Sequence, residues 1–121
     1  MKKVISILIL LPLLGFSQLK KEVLFVGNSY TYVNDLPNLV KQIALSFGDT
    51  LVHESSTPGG SNFNAHSTNS QTLNKINQQQ WDYVVLQAQS QELSFSPFQV
   101  ASDSYPYAEI LVDSIFANSS C

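Results

Sequence analysis

Three short polar stretches carry the residues that can do chemistry. They are Gly27-Asn28-Ser29-Tyr30-Thr31, Thr57-Pro58-Gly59-Gly60-Ser61-Asn62 and Gln87-Ala88-Gln89-Ser90-Gln91. The first offers a hydroxyl, the second a glycine backbone and the third side-chain amides. Brought together they make an acyl-transfer site. The Ser29 hydroxyl would attack a carbonyl, and a backbone N–H with a neutral NH₂ group would hold the oxyanion without proton transfer. Each stretch also has a plainer reading: Gly-Asn-Ser and Gly-Gly are ordinary turn chemistry, and glutamine amides cap loop backbone. His53 falls in a strand pattern and reads as a packed histidine. His66 follows the glycine loop, where it can face a cleft. Two histidines with Cys121 far away make no zinc spacing, and no metal site is expected. Gly-Gly-Ser lacks the lysine of a phosphate-binding loop, and Gly27 begins no dinucleotide fingerprint, so no cofactor is expected. The Gly-x-Ser-x-Gly elbow is also absent.

The elements that must position these stretches follow from periodicity. Glu22–Val26 is an apolar run closed by Gly27, a buried strand. Leu36, Leu39, Val40, Ile43, Ala44 and Phe47 fall on one helical stripe, with Pro37 in its first turn and Gly48 at its end. Thr50–Glu54 alternates as a second strand. Asn69–Gln80 is a weaker helix on Leu73 and Ile76, Asp82–Leu86 a third strand, and Pro106–Ala117 a helix with Ile110, Leu111, Ser114 and Ile115 along one side. The order βαβαβα predicts a parallel sheet with helices on its faces. In such a sheet all three polar stretches open on the carboxyl edge of the strands, where α/β proteins bind ligands. Ser29, Gly60 and Gln89 are therefore expected in one cleft.

Phe25-Val26-Gly27-Asn28-Ser29-Tyr30-Thr31 resembles the first block of the SGNH, or GDSL-like, hydrolases, a strand ending in Gly-Asp-Ser whose serine is the nucleophile. The resemblance implies Ser29 as nucleophile, with Asn28 in place of the usual Asp. Pro58-Gly59-Gly60-Ser61 resembles the second block and implies the Gly60 N–H in the oxyanion hole, beside the N–H of Ser29. The third block, Gly-x-Asn-Asp, is replaced by Leu86-Gln87-Ala88-Gln89-Ser90. Gln89 would supply the amide, with Gln87 its competitor. The closing Asp-x-x-His block is absent, which places the catalytic acid and base beyond Cys121. The implied fold is a flavodoxin-like three-layer α/β sandwich truncated after its third βα unit. The implied activity is ester hydrolysis, on carbohydrate acetyl esters or lipid and aryl esters, with 18–121 as the N-terminal part of the domain and inactive alone.

The chain opens as a leader. Lys2 and Lys3 precede an apolar run from Val4 to Leu14, and Ser17|Gln18 is a plausible cleavage point, so 1–17 reads as a signal peptide and the product as secreted or periplasmic. The run falls short of the roughly 20 apolar residues of a membrane span, and no stable membrane anchor is expected. After cleavage four lysines face nine acids, net −5, with no arginine. That leaves no electrostatic footprint for nucleic acid. The single cysteine, Cys121, permits no internal disulfide. The expected partner is a small-molecule or carbohydrate ester. The alternative is a non-catalytic carbohydrate-binding module of the same fold, which the departures at Asn28 and Gln89 favour.

Overall fold

The computed structural model describes residues 18–120. The expected leader and Cys121 lie outside them. Three strands, β1 (Lys20–Val26), β2 (Thr50–Ser56) and β3 (Tyr83–Leu86), form one parallel sheet in the order β2-β1-β3. This is the start of the 2-1-3 order of flavodoxin-like folds. Val23 pairs with His53 on one side and Tyr83 on the other; Val26 pairs with Ser56 and Leu86. All three strands therefore end at one edge.

The central strand explains its own sequence. Leu24 and Val26 point to one face, Val23 and Phe25 to the other, and all four are buried. A strand covered on both faces reads as a continuous apolar run. Leu24 and Val26 pack with Ile76, Trp81, Leu111 and Ile115. These come from α4 (Ser70–Asn77), the turn before β3, and α6 (Tyr105–Ala117). Val23, Phe25 and Leu51 pack against Val40 and Ala44 of α2 (Leu36–Ser46). Helices thus cover both faces, and the chain is a three-layer α/β sandwich.

Several elements differ from expectation. A four-residue helix, α1 (Ser29–Tyr32), follows β1 directly. The helix expected at Asn69–Gln80 is shorter and is preceded by α3 (Phe63–Thr68). Asn62 caps α3 through Ala65 N (2.8 Å), and Asn69 caps α4 through Thr72 N (3.1 Å). Between β3 and α6 lie a 3-10 turn (Glu92–Ser94) and α5 (Pro97–Asp103), capped by Ser96. The stripe on α2 is split. Val40 and Ala44 reach the core, whereas Leu39, Ile43 and Phe47 are exposed. The physical reason is that α2 lies over β2, an edge among the described strands, with no further strand beneath its outer flank.

Candidate functional site

Ser29 is the first residue of α1, immediately past the carboxyl end of β1, and is partly exposed. Asn28 caps the helix: its Oδ1 accepts from Tyr30 N at 3.1 Å. A first-turn N–H has no partner inside its own helix, so the Ser29 N–H remains available. Ser29 lines an open cleft of about 360 Å³ with Tyr30, Val33 and Asn34.

The loop that carries Ser29 is fixed from three sides. Gly27 N donates to Ser56 O (3.0 Å) at the end of β2. Asn28 N donates to Gln87 Oε1 (2.9 Å), which also accepts from Thr31 Oγ1 (2.9 Å). Asn28 Nδ2 donates to Ser61 O (2.9 Å) in the glycine loop. The loops after all three strands are therefore tied together through Asn28, which is 2% exposed. This explains Asn rather than Asp here, because the amide donates to the Ser61 carbonyl and an ionised carboxylate cannot. It also explains Gly27. A Cβ there would stand 2.6 Å from both Gln87 Oε1 and Thr31 Oγ1.

Gln87 is consumed by this network. Its Oε1 accepts twice and its Nε2 donates to Ala88 O. Gln89 is used less: its Oε1 accepts from Gln91 N (2.6 Å), and among the described residues its NH₂ has no acceptor. Gly60 has φ +74° with open space where a Cβ would stand, so its backbone conformation, not crowding, favours glycine. Gly60 is exposed and lines neither cleft of this edge. Gln89 lines a second cleft, of about 310 Å³, with Asn62 and Glu92. The three predicted residues thus share one sheet edge and tied loops, but Ser29 and Gln89 line separate clefts.

Neither histidine faces Ser29. His53 packs its ring edge-on to Phe25, centroids 6.1 Å apart, three residues short of the end of β2. His66 is fully buried, not cleft-facing. Its Nε2 lies 2.8 Å from Gly27 O and its Nδ1 2.9 Å from Thr72 Oγ1, which meets Ser56 Oγ at 2.9 Å. A carbonyl only accepts, so Nε2 carries the proton and donates to Gly27. Burial pushes the imidazole pKa down, opposed by the Gly27 carbonyl. His66 therefore acts as a strut beneath the Ser29 loop. Sequence reasoning missed this role and that of Thr31. Both depend on contacts 39 and 56 residues apart in the chain.

Among the described residues no cluster of three or more His, Cys, Asp or Glu can hold a metal, and no helix is long and apolar enough to cross a membrane. No protein-family model, curated protein or solved structure matches the chain.

Proposed function

We propose that this chain carries the nucleophile and one oxyanion donor of a serine ester hydrolase, both on Ser29. The observation that supports this most is the placement of Ser29. It is a partly exposed hydroxyl on the first helical residue after the central strand, beside an open cleft, on a loop held by neighbours from both flanking strands. In this reading the Ser29 hydroxyl attacks the ester carbonyl. Its proton passes to a base, and the carbonyl oxygen becomes an oxyanion held by the N–H of Ser29; Gly60 and Gln89 stand outside the Ser29 cleft and take no part in this reading. The tetrahedral intermediate expels the alcohol, which takes the proton back from the base, and water then cleaves the acyl-serine by the same route. The bound histidine His66 and the packed histidine His53 are not placed to serve as that base.

A second reading is a binding module that never cleaves its ligand, and the absence of a histidine facing Ser29 among the described residues favours it. The test is turnover of p-nitrophenyl acetate by the chain and its Ser29→Ala variant, with mass spectrometry for an acetylated Ser29. Without a base, residual acceleration of about 10³–10⁴ over water is expected, by analogy with stripped protease triads. That share does not depend on the serine hydroxyl and should persist in Ser29→Ala, whereas the acetyl adduct on Ser29 should be lost. Absence of the adduct from Ser29 in the unaltered chain would reject the nucleophile.

A further inference from the structure

The cleft that Gln89 lines is chemically unlike the one beside Ser29. It is walled by loops that follow β2 and β3 and by the helices beyond β3. At about 310 Å³ it lies at the small end of the range of ligand sites, roughly 300–1,000 Å³.

Its walls combine three kinds of group. Amides come from Asn62, Asn64, Gln89 and Gln91. An amide side chain both donates and accepts, which matches a ligand whose own groups do both. Two of these amides already spend their oxygen within the protein: Asn62 on Ala65 N and Gln89 on Gln91 N. Their NH₂ donors remain. Aromatic rings come from Phe95 and Tyr107, the apolar surfaces on which a flat C–H face can lie. The acids are Glu92 and Asp103, and no lysine lines the cleft.

Glu92 is the decisive group. It is only 7% exposed, and one of its carboxylate oxygens has no hydrogen-bond partner. A buried carboxylate without donors is costly. That oxygen is sealed from the cleft, but the other, which also makes no hydrogen bond within the protein, is not sealed, so donors brought by a ligand can reach the carboxylate there. Carboxylates with no basic residue exclude an anionic ligand. An ammonium ion would satisfy the acids but leave the free amide NH₂ groups without acceptors. A neutral polyhydroxylated ring satisfies both, since each hydroxyl donates and accepts.

We propose that this cleft is a binding site for one neutral sugar ring, with Glu92 and the amides on its hydroxyls and Phe95 or Tyr107 against its C–H face. The site does not depend on Ser29 being a nucleophile.

The test is calorimetric titration of the whole chain with xylotriose, cellotriose and maltotriose, and with choline chloride as the cationic control. At least one trisaccharide should bind, and choline should not. Glu92→Gln keeps the shape but removes the acceptor charge, and should weaken binding about tenfold, a factor worth one well-made polar contact. Asn64→Ala, at an exposed position whose side chain makes no bond within the protein, should weaken binding while leaving the unfolding temperature unchanged. Ser29→Ala should leave saccharide binding unaltered, so failure of the nucleophile reading leaves this one standing. The proposal is overturned by any of three results. These are no trisaccharide binding with a Kd below about 10 mM, saccharide binding that survives both Glu92→Gln and Asn64→Ala, or Glu92-dependent binding of choline.

Discussion

Replacing Asn28 by Asp changes one NH₂ group for an oxygen, and the structure sets the consequence. In the native loop that NH₂ lies 2.9 Å from Ser61 O, while Oδ1 receives Tyr30 N at 3.1 Å. In Asn28→Asp, Tyr30 can still donate, but two oxygens now face each other across the former hydrogen bond. The position is 2% exposed, so water does not relieve the contact. A buried carbonyl left unsatisfied costs about 1–3 kcal/mol, and the buried charge places the total near the upper end. A cost of about 3 kcal/mol at neutral pH corresponds to a fall of roughly 10–20 °C in melting temperature for a domain of this size. Protonation restores a donor toward Ser61, so the folded state raises the aspartate pKa above its ordinary value of about 3.9. The sign follows. Below about pH 3.9 both states are protonated and the deficit is small. Above it the unfolded chain releases its proton first, and stability falls by about 1.4 kcal/mol per pH unit until the folded carboxyl ionises. Thermal unfolding followed by circular dichroism, near pH 4 and near pH 7, measures this directly against the wild type. A deficit of equal size at both pH values would refute the proposed acceptor–acceptor clash.

Other perturbations give equally definite outcomes. Gly27→Ala drives a Cβ to 2.6 Å from Gln87 Oε1 and Thr31 Oγ1, and should cost about 1–3 kcal/mol in denaturant melts. His66→Ala removes the donor to Gly27 O and opens a buried space. It should cost at least about 2 kcal/mol, with His66→Gln recovering part of it. Because burial lowers the His66 pKa, the unfolded chain binds a proton first as pH falls below about 6.5. Stability should decline there until the folded His66 also protonates, and His66→Gln should remove that share of the slope. The Lys75–Glu54 pair is partly exposed, and Lys75→Met should change stability by less than about 1 kcal/mol in urea melts.

The sheet was legible because β1 is covered on both faces and must be apolar at every position from Val23 to Val26. Helix α2 was legible as a helix, but not in its burial. A stripe from Leu36 to Phe47 says that one side is apolar, and says nothing of how far the sheet extends beneath it. Helices α3 and α5 escaped because they are six and seven residues long, with little apolar periodicity in Phe63–Thr68. Their caps were nevertheless written in the sequence, as Asn62 three residues before Ala65 and as Ser96-Pro97.

The polar loops show why residue types alone left roles open. Gln87 and Gln89 stand two apart and carry the same amide, so the sequence offers both for one task. The fold separates them by partner: Gln87 accepts from Asn28 and Thr31 and spends its NH₂ on Ala88, while Gln89 keeps its NH₂ beside the second cleft. The same logic applies to Asn28. Its contacts to Tyr30, Gln87 and Ser61 involve only neutral groups, so none of them titrates between acid and neutral pH. Among the described residues, the ionisable group bonded to this loop is His66, through the Gly27 carbonyl. Protonating its Nδ1 leaves the Nε2 donor to Gly27 in place and only reverses the bond to Thr72, whose hydroxyl can donate to Ser56 instead. The loop can therefore keep its hydrogen bonds across the His66 titration. The pH sensitivity that remains is the desolvation of the imidazolium, a cost in stability rather than a change in where Ser29 stands.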